Sequence, residues 1–176
     1  MLTTIEVRRK PGESARGVLI AGARTLSCAL GRSGPSIFKR EGDGATPAHA
    51  AMRPLWGYWR PDRGVRPRSI LPLHRIGPDD GWCDAPEHPS YNAPVRLPFA
   101  ASHEVMRRAD CLYDICIVLY CNMAPRGRAR HRGSAIFLHM AKPGYPPTAG
   151  CIALARRDLE WLVARIDRRS RFVVVR

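Results

Sequence analysis

Short apolar segments, separated by Gly and Pro, constrain the fold of this 176-residue chain more than any other feature. They contain many β-branched residues and have the length of strands. The segments cover residues 4–7, 17–21, 26–30, 55–59, 112–120, 134–140 and 172–175. Their number and spacing predict a mainly β protein.

Two segments have features of a helix. In residues 156–166, Leu159, Leu162, Val163 and Ile166 follow the i, i+3, i+4, i+7 spacing and form one apolar stripe, which we expect to pack on the sheet. Residues 102–109 form a weaker candidate, in which Ser102 would cap the helix and Glu104 would lie in its first turn.

Residues 61–98 contain many prolines and turn signals, and the sequence predicts a long irregular loop there. Loops of that length often line functional sites. Trp82 and Tyr91 are the large aromatic residues that it would contribute.

The charge of the chain is strongly positive. Lys and Arg total 29 against 15 Asp and Glu, which gives a net charge of +14, and three of the basic residues are lysines. Arginine binds carboxylates and phosphates with two hydrogen bonds, so the surplus indicates an anionic partner. The arginines are dispersed, however, and Arg, Ala, Gly and Pro also share GC-rich codons, so charge alone names no partner.

No apolar run reaches the roughly 20 residues of a membrane-spanning helix, and the first thirty residues contain no apolar core of a secretory signal. From these residues alone the chain is expected to be cytoplasmic.

Cysteines occur at positions 28, 83, 111, 116, 121 and 151 without a CxxC pair, so neither a redox motif nor a metal site is predicted. Most should be small buried side chains.

The segment that carries chemistry is a predicted strand ending at His139, a loop rich in Pro and Gly, and then Gly150 and Cys151 before the helix. A lone His on a strand, or a lone Cys before a helix, is usually structural. Such a loop, however, lets the chain double back and bring Cys151 beside His139. The imidazole can then take the thiol proton, while backbone N–H groups near Gly150 face the developing oxyanion.

This segment resembles the L,D-transpeptidase catalytic domain, or YkuD-type, family, whose motif is a His followed after a loop by Ser-x-Gly-Cys-x-x-Leu. Here residues 148–154 read Thr-Ala-Gly-Cys-Ile-Ala-Leu after His139. Residues 42–47 are similar to a turn that precedes the catalytic sheet, and residues 58–62, 80–84, 91–92 and 112–114 are similar to one branch of the family. The resemblance implies a YkuD-like β-sandwich or barrel-like domain with one or two packed helices.

Carried over residue by residue, the resemblance makes Cys151 the nucleophile and His139 its general base, oriented by the backbone carbonyl of Met140. A backbone N–H group at Gly150 would stabilise the developing oxyanion. The substrate-binding residues expected with them are Thr148, Tyr145 and Trp82. The chain departs from the family at Met140, where Gly is common, at Thr148, where Ser is usual, and at Ala153, where Arg is common. No cofactor and no metal are implied.

The reaction that the resemblance implies is acyl transfer on peptidoglycan stem peptides, with 3→3 crosslinking through a Cys151 acyl-enzyme and with carbapenem-type β-lactams as inhibitors. Hydrolysis of the same thioester, by an L,D-carboxypeptidase or amidase, is an alternative. A further alternative is a non-catalytic basic protein that binds the cell wall or nucleic acid. The charge favours it, whereas the absence of a recognised nucleic-acid motif argues against a specific nucleic-acid partner.

The expected organisation is an N-terminal segment or first edge strand over residues 1–16, followed by the catalytic domain over 17–176. The family implies a place in the periplasm or cell envelope, which conflicts with the cytoplasmic expectation above. The other five histidines are expected to be dispensable for chemistry; they are His49, His74, His88, His103 and His131.

Overall fold

The computed structural model describes residues 1–48, 51–123 and 128–175, and strands dominate these ranges. The strands are β1 Thr4–Arg9, β2 Arg16–Ala21, β3 Arg24–Ala29, β4 Pro35–Ser36, β5 Thr46–Pro47, β6 Pro54–Trp59, β7 Leu73–Arg75, β8 Asp80–Cys83, β9 Ala93–Arg96, β10 His103–Val105, β11 Ile115–Leu119, β12 Phe137–Met140, β13 Ile152–Leu154 and β14 Arg171–Val175. One helix, α1 at Arg156–Val163, occurs within the described ranges. The prediction of a mainly β fold is confirmed.

Nine strands form one mixed sheet in the order β14-β1-β2-β3-β13-β12-β11-β6-β7. The pairs β1 with β14, β12 with β13 and β6 with β7 are parallel, and the other neighbours are antiparallel. A second sheet, β10-β8-β9, packs against the first through Trp82, whose ring meets Phe137 edge-on at 5.1 Å between centroids. The two layers form a sandwich, and β4 and β5 make a separate short pair.

The central strands β11, β12 and β13 are buried on both faces. Because side chains alternate along a strand, each strand contributes to two different cores. In β12, Leu138 and Met140 join the core beneath α1, whereas Phe137 joins the core beneath the second sheet. His139 therefore points to the same side as Phe137, away from α1.

Helix α1 buries the predicted stripe. Leu159, Leu162 and Val163 are fully buried within the helix, and Ile166 is fully buried just after it. These side chains pack on the face of the sheet that carries Leu138. The predicted packing is confirmed, although the helix ends at Val163, three residues before the predicted end.

The second predicted helix, over residues 102–109, is wrong. His103–Val105 forms strand β10, which pairs with β8 so that Glu104 lies opposite Trp82. Met106, directly after the strand, is buried in the core beneath the second sheet. Pairing with β8 satisfies the backbone hydrogen-bonding groups of this segment, and Met106 is buried next to it. These tertiary interactions outweigh the weak local preference for a helix.

The prediction of one long irregular loop over residues 61–98 is wrong in part. Strands β7, β8 and β9 lie within it, and β8 and β9 pair in antiparallel register. Pro94 lies in β9, which is the edge strand of its sheet, and an edge is where a strand tolerates proline. A proline within this segment is therefore compatible with a strand at the edge of a sheet.

The prediction of a first edge strand within residues 1–16 is also wrong. Strand β1 pairs with β14 on one side and β2 on the other, so it is internal. Ile5 and Val7 are fully buried, and β14 supplies the outer partner through Phe172 and Val174. Alternating apolar residues on both strands explain why the two ends of the chain meet in one sheet.

Candidate functional site

The parallel pairing of β12 with β13 brings His139 and Cys151 to one face of the sheet. Leu138 lies opposite Ile152 and His139 opposite Ala153, so Cys151 comes next to Phe137. Phe137, His139, Cys151 and Ala153 therefore share a face, with the imidazole and the thiol as diagonal neighbours. The loop between the two strands lets the chain return in the parallel direction.

The Cys151 side chain is held by two backbone groups. Its Sγ–H donates to the carbonyl oxygen of Ala135 at 3.2 Å, and the N–H of Phe137 donates to Sγ at 3.3 Å. The residue is 7% exposed. Burial raises the pKa of the thiol to about 12, so the sulfur carries its proton at neutral pH.

The His139 imidazole is held in one tautomer. Nδ1 lies 2.7 Å from the carbonyl oxygen of Met140, which can only accept, so Nδ1 carries the hydrogen and Nε2 carries a lone pair. The Tyr113 ring packs edge-on against the imidazole at 5.5 Å between centroids. Burial lowers the pKa of His139 to about 4, so the ring is neutral at pH 7 and able to accept a proton at Nε2.

The turn before Cys151 is built on Thr148 and Gly150. The Thr148 hydroxyl donates to the Cys151 carbonyl at 2.7 Å and accepts from the Gly150 N–H at 3.1 Å. Gly150 has a φ of +142°, and a Cβ on it would come within 2.8 Å of the Ala45 carbonyl oxygen, so glycine is required here. The expected oxyanion role of Gly150 needs correction: its N–H stabilises this turn.

A cavity of about 530 Å³ opens onto His139 and Cys151. Its size lies within the usual range of small-molecule binding sites. Thr148 and Ala153 also line it. Thr148, which is expected to bind substrate, thus lies at the cavity wall, although both hydrogen bonds of its hydroxyl stabilise the turn.

The cavity carries both signs of charge. Asp110 accepts from Arg108 at 2.8 Å and lies 3.2 Å from Lys142, and Arg108 also lies 3.5 Å from Glu104, so two cations and two carboxylates form one network. Glu104 and Asp84, which both line the cavity, are close enough to repel each other electrostatically. Burial, more than that repulsion, raises the pKa of Glu104.

Few of the basic residues lie at this site. Among the Lys and Arg residues that the structure describes, four line the cavity, and they are Arg32, Lys39, Arg108 and Lys142. Lys39 is already paired with Asp43. Most of the arginine surplus is therefore distributed over the rest of the molecule.

Three aromatic residues do not line the cavity as predicted. Trp82 is fully buried, with its indole N–H donated to Asn92, and Tyr91 is 1% exposed with its hydroxyl donated to Glu41. The strands β8 and β9 draw both rings into the core. Tyr145 lines a hollow with residues 12–16, and this hollow adjoins the cavity at Pro146 and Pro147. The substrate-binding assignment of Trp82 is therefore wrong, whereas that of Tyr145 stays a prediction.

Two residues close to the site were assigned no role from the sequence. Cys116 lies directly across from His139 in the β11–β12 register but is fully buried and does not line the cavity. The structure places Cys116 in the core beneath the second sheet, whereas Cys111 and Cys121 pack with the α1 side. Asn92, part of a motif noted above, had no assigned role.

The remaining described histidines lie away from the cavity. His88 packs against Phe99, His103 contacts the Ala101 carbonyl, and His131 pairs with Glu87. His74 lies on β7, at the opposite edge of the large sheet from β14. His49 lies outside the described residues.

The part of the chain that the structure describes contains neither a metal-binding cluster nor a membrane-spanning helix. Over residues 1–48, 51–123 and 128–175, no group of three or more His, Cys, Asp or Glu side chains is arranged to hold a metal ion. In the same ranges no helix combines the length and apolar character needed to cross a membrane.

Comparison with known proteins gives one match. The family model for YkuD, the L,D-transpeptidase catalytic domain, matches residues 15–175. No curated protein and no solved structure matches the chain.

Proposed function

Since the chain belongs to the YkuD family of L,D-transpeptidase catalytic domains, we propose that it is a cysteine acyltransferase acting on peptidoglycan stem peptides, with Cys151 as nucleophile and His139 as general base. The observation that carries this proposal is the cavity in which a thiol and a neutral imidazole share one face of the sheet. The family acts on peptidoglycan and is sensitive to β-lactams.

The resting charges decide how the reaction begins. A thiol with a pKa of about 12 beside an imidazole with a pKa of about 4 forms almost no thiolate–imidazolium pair before substrate binds. Proton transfer from Sγ to Nε2 of His139 must therefore accompany attack of the sulfur on the substrate carbonyl. Nε2 is the atom suited to this step, because the Met140 carbonyl holds the hydrogen on Nδ1.

The proposed chemistry has two halves. In the first, the Cys151 sulfur bonds to the carbonyl carbon of the third, diamino-acid residue, and its proton goes to His139. The bond to the terminal D-Ala then breaks, and the imidazolium returns the proton to the leaving amine. In the second half, an amine of another stem attacks the thioester, gives a proton to His139 and releases the sulfur, which recovers that proton. Water in place of the amine gives the carboxypeptidase reaction.

The charges of the cavity suit such a substrate. A stem peptide carries carboxylates and the amino group of its diamino acid. Arg108 and Lys142, which lie in one network with Asp110 and Glu104, can direct N–H groups toward a substrate carboxylate, while Glu104 and Asp84 can bind an ammonium group. Ala153 stands where arginine is common in the family, and other residues of the cavity lining supply the positive charge.

The test is product analysis with a disaccharide-tetrapeptide that contains the diamino acid and a terminal D-Ala. We expect free D-Ala together with a 3→3 crosslinked dimer from the wild type and from Cys116→Ala, and neither product from Cys151→Ala. Free D-Ala with a tripeptide and no dimer would assign the hydrolytic alternative. No release of D-Ala by the wild type would overturn the proposal.

The cellular test compares wall fragments from cells with and without this protein. YkuD proteins are usually associated with the cell envelope, and we propose that this chain acts there. Loss of 3→3 crosslinks in the deletion strain would establish both the activity and the compartment. An unchanged wall, combined with salt-sensitive retention on DNA, would favour the non-catalytic basic protein.

A further inference from the structure

Asn92 is a buried amide that ties three parts of the chain together. It is 3% exposed and has a left-handed backbone, with φ of 54°. Its Oδ1 accepts from the Trp82 indole N–H at 3.1 Å and from the Ala135 N–H at 3.0 Å. Its Nδ2 donates to the carbonyls of Cys121 at 2.9 Å and Asn122 at 2.7 Å. Both donors and both acceptor positions of the amide are therefore in use.

One of those bonds leads to the candidate nucleophile. Ala135 has φ of 49°, a left-handed conformation that costs a non-glycine residue energy and persists only where neighbouring groups enforce it. The bond from its N–H to Asn92 is such a constraint. The carbonyl of the same residue accepts the Cys151 thiol at 3.2 Å.

We propose that Asn92 is a positioning residue for Cys151: by holding Ala135 in its left-handed conformation, it keeps the Ala135 carbonyl in place as acceptor of the thiol proton. The inference rests on the proposed function only in taking Cys151 as the nucleophile. The Phe137 N–H holds the sulfur from a second direction, so the two backbone contacts together fix its position.

This role predicts opposite effects on two reactions of the same sulfur. The Ala135 carbonyl stabilises the protonated thiol, so its loss favours the thiolate and speeds alkylation by a small reagent that needs no orientation. Acylation by a bound reagent needs the sulfur at a defined position beside His139, so the same loss slows acylation.

Asn122 is a matched control. It is also left-handed, with φ of 50°, and its side-chain amide also bonds to backbone groups. Its bonds, however, end on Ala129 and Gly133 and do not reach Ala135. Glycine accommodates positive φ, so Asn92→Gly and Asn122→Gly each remove an amide without straining the backbone.

The experiment measures two rates for wild type and both variants. One is the rate of iodoacetamide labelling of Cys151 between pH 7 and 9, mapped by mass spectrometry, and the other is the rate of carbapenem acylation. For Asn92→Gly we expect labelling roughly fivefold faster, the equivalent of one ordinary hydrogen bond, and acylation about tenfold slower. Asn122→Gly should match the wild type in both rates.

Equal rates in Asn92→Gly and Asn122→Gly, or two rates that change in the same direction in Asn92→Gly alone, would overturn the inference and leave Asn92 a purely structural residue. Labelling of the fully buried Cys116 reports whether a variant has opened its core.

If Asn92→Gly does not fold, the comparison of Ala135→Val with Ala135→Gly tests the same inference. The β-branched valine disfavours positive φ and should speed labelling, whereas glycine should leave labelling unchanged. Equal labelling in both would overturn the inference.

The proposed function can fail separately from this inference. If the wild type is not acylated at Cys151 by any reagent, the acyltransferase assignment fails. The labelling comparison still decides whether Asn92 controls the thiol.

Discussion

The two faces of β12 and β13 differ sharply in chemistry. The face toward α1 is apolar, with Leu138, Met140, Ile152 and Leu154 closed beneath the helix. The other face carries an imidazole and a thiol beside a cavity. Because the same strands form both faces, the packing beneath α1 fixes the backbone that positions the reactive groups.

Each reactive group on the polar face has a backbone partner. His139 donates to the Met140 carbonyl, and Cys151 donates to the Ala135 carbonyl. These bonds offset the cost of burying polar groups, and burial keeps both groups neutral at pH 7. The comparison therefore predicts that at neutral pH the polar face controls the reaction rate while the apolar face contributes most to stability. Two substitutions test this division, and two further changes test the charge of the imidazole and of the arginines.

The largest expected effect is on the polar face. His139→Ala should slow carbapenem acylation of Cys151 by roughly 10²- to 10⁴-fold, because the imidazole is the proposed acceptor of the thiol proton, while the fold is kept. The measurement is the acylation rate by intact mass. His103→Ala, on β10 and away from the cavity, is the matched control and should react like the wild type. Equal rates in wild type and His139→Ala would contradict the assigned role.

The next effect belongs to the apolar face. Leu138→Ala removes a fully buried side chain beneath α1 and should lower the free energy of unfolding by about 2–5 kcal/mol. The acylation rate of the protein that remains folded should stay near that of the wild type. Denaturant titration and acylation at low temperature measure the two quantities. A loss of rate as large as that of His139→Ala would break the division between the faces.

The third effect is a pH dependence of stability. The folded protein binds a proton at His139 with a pKa of about 4, below the ordinary value of about 6.5, so between these values the unfolded chain binds more protons. The neutral imidazole contributes on the order of 3 kcal/mol to the free energy of unfolding above pH 6.5. This contribution is lost as the pH falls toward 4.

The control for this pH dependence is His139→Gln, which cannot titrate. Chemical denaturation at pH 7, 6, 5 and 4 should show a shallower loss of stability in this variant than in the wild type. Parallel curves for the two proteins would show that the imidazole is not kept neutral by the fold.

The smallest effect concerns the arginines outside the cavity. We predict that they bind the anionic wall polymer, so retention on purified peptidoglycan should fall as salt shortens the Debye length from about 10 Å at 0.1 M to about 3 Å at 1 M. Acylation of Cys151 should change little over that range. Tighter binding to a particular DNA sequence, with no retention on peptidoglycan, would contradict the prediction.

Sequence patterns predicted the parts of this protein that follow local rules. The apolar stripe of Leu159, Leu162 and Val163 identified α1, and short apolar segments identified the main strands. The motif around His139 and Cys151 indicated the site because those residues flank one loop. The strand β10 was missed because Glu104 and Met106 take their conformation from β8, which is distant in sequence.

The site residues that sequence reasoning misassigned depend on contacts between distant segments. Trp82 is a large aromatic residue in a segment that the sequence predicts to be a loop lining the site. Pairing of β8 with β9 and β10 buries its side chain instead. The link from Asn92 through Ala135 to Cys151 joins residues 43 and 16 positions apart. Hydrogen bonds between residues so far apart leave no periodic pattern in the sequence, and they are visible in the folded structure alone.

The most direct test of the central claim is to map where an acylating reagent binds. The wild-type protein is treated with a carbapenem, its intact mass is measured, and the modified peptide is sequenced. We predict a single adduct on Cys151 in the wild type and in Cys116→Ala, and no adduct in Cys151→Ala. An adduct on Cys116 or another cysteine, with Cys151 unmodified, would contradict the account.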